Sequence, residues 1–121
     1  MQRMKWRSKV SVATALMLGA SASIASPLWC AGTLMAIYMT SDGSVEIKGT
    51  WRNEYTQICS DQGTFGGIDS VTCLSWFALA VKAQTAQVPV TVYYPDAGSY
   101  TCGNLPSYAS ALTPNYLLIS Q

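Results

Sequence analysis

GTLMAIYMTSDGSVEIKGTW, residues 32–51, is the stretch that decides the fold. Its second half alternates strictly: Val45, Ile47 and Trp51 share one face of an extended chain, and Glu46, Lys48 and Thr50 share the other. Its first half, residues 32–40, is rich in apolar and aromatic side chains. Between them lies Ser41-Asp42-Gly43-Ser44, and Asp-Gly between two such runs is a strong hairpin signal, because glycine accepts the positive φ that the turn requires. The expectation is an antiparallel hairpin with one apolar face.

Downstream, residues 55–60 (YTQICS) read as a third strand, with Tyr55, Gln57 and Cys59 alternating with Thr56, Ile58 and Ser60. Residues 61–67 (DQGTFGG) form a loop in which Phe65 is the natural core anchor. Ser70, preceded by Asp69, is the expected N-cap of a helix running to Gln84. Cys73, Phe77, Ala80 and Gln84 would line its inner stripe beside Leu74, Ala78 and Val81, with Trp76 off that stripe, toward a loop or a neighbouring subunit. Pro89 bars continuation of the helix. Residues 88–94 (VPVTVYY) are a β-rich run closed by a Pro95-Asp96-Ala97-Gly98 turn, and residues 116–119 (YLLI) are a last strand candidate. The order β-β-β-α-β-β predicts an α+β, mainly β domain with antiparallel strands and one helix.

Upstream of the hairpin the chain has a different character. Of 121 residues, 50% are hydrophobic and 11% charged, and the net charge is +1. Four of the seven basic residues, Arg3, Lys5, Arg7 and Lys9, precede every acidic one, of which Asp42 is the first. An apolar run at residues 10–19 and small residues at 20–26 follow. This is the pattern of a secretory signal peptide, residues 1–25, cleaved after Ala22 or Ala25. The apolar run is too short to span a hydrocarbon core of about 30 Å, so no membrane span is expected after cleavage.

The remaining 26–121 form a single secreted domain, exported to the periplasm or beyond in a bacterium. Three basic groups (Lys48, Arg52, Lys82) face six acidic ones there, a net charge of −3. A domain with three scattered cations lacks the footprint of a nucleic-acid binder, and no nucleic-acid partner is expected.

All four cysteines, Cys30, Cys59, Cys73 and Cys102, fall in this domain. An even number in a small exported chain reads as two disulfides, and spacings of 29, 14 and 29 residues contain no zinc knuckle. Three connectivities are possible. The favoured one joins Cys59 to Cys73, tying a strand to the start of the helix across the short Gly-rich loop. It then joins Cys30 to Cys102, fastening the start of the domain to the region after the VPVTVYY strand.

There is no histidine, which removes His-dependent triads and imidazole metal sites. The residues 63–67 lack the lysine and hydroxyl of a phosphate loop. Asp42 and Glu46, the carboxylates nearest to a glycosidase pair, flank a turn, where such groups usually serve turn geometry. The expectation is a non-enzyme without cofactor or metal, whose work is binding. Residues 51–56 (WRNEYT) offer stacking and hydrogen-bonding groups at a strand connection. Periodicity turns Trp51 inward, leaving Arg52, Asn53 and Tyr55 as ligand-contact candidates. Tyr94 and Asp96, at the end of the VPVTVYY strand and in its turn, complete the candidate set. Of Tyr93, Tyr94 and Tyr100, alternation makes one or two core and the rest surface.

The stretch 32–38 (GTLMAIY), Ile58-Cys59, Cys73 before the helix, and residues 83–94 (AQTAQVPVTVYY) together resemble pertussis-like AB5 toxin B subunits, that of subtilase cytotoxin above all. The likeness covers roughly residues 32–95. It implies an OB-fold-like antiparallel barrel or curled sheet with one helix, a strand cysteine paired with one near the helix, a secreted homopentamer and a glycan ligand. Two features depart from that pattern. Ala31 stands where sialic-acid-binding members place serine, and Cys30 and Cys102 replace a pair near the family's C-terminus. Beside this reading stands a second one, a small periplasmic inhibitor or interaction protein acting on one protein partner.

Overall fold

Strand β2 (Leu34–Met39) and strand β3 (Ser44–Gly49) form the expected hairpin, with Ile37 opposite Ile47 and Tyr38 opposite Glu46. Gly43 takes φ +88° at the turn, and any side chain there would run into the Asp61 carboxylate. Asp42 caps the turn, accepting from the Ser44 N–H and the Thr40 hydroxyl. These donors hold its carboxyl below the usual range. The computed structural model describes residues 13–15, 19 and 24–120, so most of the expected leader, including its earlier cleavage position, lies outside them.

Strand β4 (Thr56–Ser60) pairs with β3 to complete one three-stranded sheet, order β2-β3-β4. A strand missed by the sequence reading, β1 (Leu28–Gly32), pairs with β5 (Val90–Tyr94), which pairs with β6 (Tyr116–Ile119), giving a second sheet of order β1-β5-β6. All pairings within both sheets are antiparallel. The strand that reads as opening at Gly32 therefore begins at Leu34: Gly32 closes β1, and the chain passes from one sheet to the other at Thr33. Gly32 permits this crossing, because a Cβ there would collide with the Thr50 hydroxyl. The crossing is fixed by Thr50 N–H donating to the Thr33 carbonyl at 3.0 Å. The described strands make two sheets and no closed barrel.

The core lies between the sheets and the helix α1 (Ser70–Ala86), which packs on β2, β4 and β6. Leu34, Val45, Ile47 and Ile58 enter it from one sheet, and Val90, Val92, Tyr94 and Leu117 from the other. Asp69, not Ser70, is the N-cap: its carboxylate accepts the Thr72 N–H at 2.7 Å. The helix ends at Gln87, which adopts a left-handed conformation two residues before Pro89. Its buried residues are Cys73, Trp76, Ala80 and Ala83, so Trp76 lies on the inner stripe, not off it. Val71, Leu74, Val81 and Leu79 are exposed. The helix is apolar on every side, so apolar spacing does not select its inner face; Ala80 and Ala83 allow the close approach that does.

Strand β4 also departs from simple alternation. Val45 faces Cys59, but Glu46 faces Gln57, a register shift that buries Ile58 and Cys59 alike. All five β4 residues are buried. Both disulfides form as favoured, Cys30–Cys102 and Cys59–Cys73. No helix among the described residues is long and apolar enough to cross a membrane.

Candidate functional site

The five expected ligand residues do not converge on one place. Arg52 is used internally: one terminal nitrogen donates to the Leu105 carbonyl and the other to the Ser107 hydroxyl at 2.7 Å. Asn53 is exposed. Tyr55 packs edge-on against Tyr38, with ring centroids 4.9 Å apart. Tyr94 is 1% exposed and belongs to the core, and burial pushes its hydroxyl pKa up; its side chain is not a surface contact. Asp96 accepts the Gly98 and Ser26 N–H groups, which lower its pKa, and lies on the wall of a cleft. Trp51 packs against the core as periodicity implies.

The outer face of the β1-β5-β6 sheet carries what the sequence reading missed. Trp29, Tyr93 and Tyr116 stand side by side in register across the three strands. Tyr93 stacks with Trp29 at 4.9 Å and 22°, and with Tyr116 at 4.9 Å and 30°. The Trp29 indole N–H donates to the Tyr116 hydroxyl at 3.0 Å. Trp29 nonetheless keeps 54% of its surface in solvent. A bare indole usually rotates freely; this one is pinned on one ring face by Tyr93 and at its nitrogen by Tyr116. Leu118, also exposed, continues the same face. The only signal available in the sequence was alternation through Trp29 and Ala31, too short to read beside the leader.

A cleft of about 520 Å³ begins where this row ends in the chain. Pro95 and Asp96 follow β5 into it, and Pro114 and Asn115 lead from it into Tyr116. Trp76 joins its lining, as do Asp69 and Thr72 from the first turn of α1. An aromatic row beside a cleft with amide, hydroxyl and carboxylate groups provides stacking surface and hydrogen-bond partners together.

The outer face of the other sheet is enclosed. Residues 105–111 run as a strap beside the edge strand β4, with Leu105 buried. Tyr108 forms an isolated parallel bridge to Thr56, donating its N–H to the Tyr55 carbonyl at 3.0 Å and accepting the Gln57 N–H at 3.4 Å. Tyr108 adopts φ +50°, a conformation costly for a bulky residue. Glu46 lies on this face, yet is only 4% exposed, and its Oε2 has no hydrogen-bond partner. Burial, and next the charge of Asp42, raise its carboxyl pKa to about 7. Lys48 Nζ sits 5.0 Å over the Tyr55 ring instead of pairing with it.

Among the described residues no three His, Cys, Asp or Glu side chains gather as a metal site. Compared with known protein families, curated proteins and solved structures, the chain matches none.

Proposed function

We propose that this protein is an exported, non-catalytic binding protein for a carbohydrate, the ligand class that its resemblance to AB5 toxin B subunits implies, and that the row Trp29, Tyr93 and Tyr116 on the outer sheet face is what holds it. The observation that carries this reading is the immobilised, half-exposed indole of Trp29. Sugar rings present C–H faces that stack on such a ring, and a pre-oriented ring loses little conformational entropy on binding. The neighbouring cleft offers Asp96 and Asn115 to sugar hydroxyls. Two disulfides in a domain of this size support export.

Self-association is part of the proposal. Val71, Leu74 and Val81 recur at helical spacing on the outer side of α1, exposed by 74%, 50% and 39%. A helix that is apolar all round is normally covered on all sides, and a ring of five copies with an OB-like fold would cover this stripe. The same stripe favours the second reading, an inhibitor or interaction protein that presents α1 to one protein partner.

A glycan array followed by titration calorimetry tests the main reading. Wild-type protein binds a subset of oligosaccharides, and Trp29→Ala weakens that binding at least tenfold, whereas Asn53→Ala does not. No binding to any glycan, or binding unchanged in Trp29→Ala, removes it. Light scattering decides the assembly: a mass of several copies that falls in the Leu74→Glu, Val81→Glu double variant supports the oligomer, and a strict monomer ends that part. A monomer that holds one exported enzyme through α1 establishes the second reading.

A further inference from the structure

The start of β1 is tied to the turn after β5 through a carboxylate. In the β1–β5 register Leu28 faces Tyr94, so Pro27 falls opposite Pro95 and Ser26 opposite Asp96. Neither proline has an N–H to give to the ladder. Beyond them a side chain takes over: the Ser26 nitrogen donates to Asp96 Oδ1 at 3.3 Å, and the Ala97 N–H donates to the Ser26 carbonyl at 2.8 Å. Asp96 Oδ1 also accepts the Gly98 N–H at 3.0 Å, which fixes the carboxylate against its own turn. Among the described residues Ser26 is the first to hydrogen-bond into the domain. Ile24, two positions earlier, is 90% exposed.

We propose that leader removal cuts between Ala25 and Ser26, and that the ammonium group it creates on Ser26 forms an ion pair with Asp96. This rests on the export reading above, in which residues 1–25 are a leader removed by a signal peptidase. Hydrolysis adds water across the Ala25–Ser26 bond. The hydroxyl goes to the Ala25 carbonyl carbon and the hydrogen to the Ser26 nitrogen, and the new acid's proton then passes to the amine, leaving a carboxylate and an ammonium. Ala20-Ser21-Ala22 and Ser23-Ile24-Ala25 both put small residues where such a peptidase reads them, so local sequence leaves two sites. The geometry separates them. A cut after Ala25 places the new charge on the nitrogen that stands 3.3 Å from a carboxylate oxygen, within ion-pair range. A cut after Ala22 puts the charge on Ser23 and leaves an overhang carrying the exposed Ile24 side chain. The charged side chains lining the cleft are Asp96 and Asp69, both acidic, so the ammonium supplies the positive charge that this lining lacks. A nitrogen with three donors in place of one, paired with Asp96, holds the Pro95–Gly98 turn to the start of β1. The carboxylate on the cleft wall is thereby positioned by the processing of the chain.

The full chain is expressed in a bacterial host, and intact mass with N-terminal sequencing of the periplasmic product reads the cut. A product starting at Ser26 supports the proposal. One starting at Ser23, or at any other residue, overturns it and leaves export standing; an uncut chain retained in the cytoplasm removes the export reading as well. The ion pair is read in the Ser26-starting protein by the pH dependence of amine labelling with an acylating reagent. A neighbouring carboxylate favours the charged form, so the α-amine titrates about half a pH unit or more above its ordinary ~7.7–8.0, and Asp96→Asn returns it to that range. An ordinary value in the wild-type protein, or a raised value that survives Asp96→Asn, overturns the pair. If Asp96→Asn does not fold, the same protein with one glycine added before Ser26 decides, because its amine is displaced from Asp96. An ordinary value there supports the pair, and an equal elevation overturns it.

Discussion

The two sheets of this domain share a plan and differ in what happens outside them. Each has three antiparallel strands with apolar residues turned to a common core. On the β1-β5-β6 sheet the outer face is a row of three packed rings, in which the Trp29 indole N–H is satisfied by the Tyr116 hydroxyl and the indole remains half in solvent. On the β2-β3-β4 sheet the outer face also carries tyrosines, but a distant part of the chain bridges its β4 edge, and a Glu46 carboxyl oxygen lies buried in the sheet without a partner. An exposed ordered surface costs apolar hydration and is available to a ligand. A covered polar group costs desolvation and is available to a proton. Side chains on equivalent faces are thus left open to solvent in one sheet and enclosed in the other.

Removing the disulfides tests how separate the two sheets are, with the largest expected effect. The Cys30→Ala, Cys102→Ala double variant opens the longer loop, spanning 72 residues, and loses about 4 kcal/mol of stability in denaturant titration. The Cys59→Ala, Cys73→Ala variant opens a 14-residue span and loses about 3 kcal/mol. Hydrogen exchange in the first is expected to rise mainly in β1, and in the second mainly in β4 and the start of α1. Equal rises in both sheets would show a single cooperative unit.

Next in size is the pH dependence that only the covered sheet should show. Because the Glu46 pKa is raised on folding, stability falls as pH rises from about 4.5 to about 7, on the order of 1–3 kcal/mol, and Glu46→Gln flattens that slope. Arg52→Met removes two hydrogen bonds from the strap, and is expected to cost about 1–2 kcal/mol and to lower protection at Tyr108 without altering Trp29 fluorescence. The smallest effect belongs to the open face. Tyr116→Phe deletes the oxygen that receives the Trp29 N–H, costs about 0.5–1 kcal/mol, and frees the indole, which a lowered Trp29 fluorescence anisotropy detects.

Much of the covered sheet was legible from residue order. Asp42-Gly43 fixed the hairpin, and alternation set Val45 and Ile47 against Glu46 and Lys48 correctly. What alternation does not reveal is what flanks the β4 edge, since Tyr108 reaches Thr56 from 52 positions away and through a single bridge. The open sheet was less legible. Only five residues make β1, and they follow the leader without a turn signal, so Trp29 had no visible partners. Tyr93 and Tyr94 are equivalent in sequence; pairing with β1 and β6 sends Tyr93 out beside Trp29 and Tyr94 into the core. Trp76 was misplaced for a related reason, because on a helix apolar all round only packing partners distinguish the inner side. Arg52 reads as a ligand contact in sequence because its neighbours in space, Leu105 and Ser107, are announced by no local pattern.

The nesting of one disulfide inside the other has a consequence for how the chain is made. A chain synthesised and delivered N-terminus first presents Cys30 and Cys59 together well before Cys102 exists to compete. Oxidation in order of appearance would join those two, a pairing that the finished molecule does not contain. Reaching the nested pattern requires either that Cys30 stay reduced until the whole domain has emerged, or that an early Cys30–Cys59 bond be reshuffled by thiolate attack. On the second route the yield of this protein depends on an isomerase, and on the first it depends on an oxidant alone.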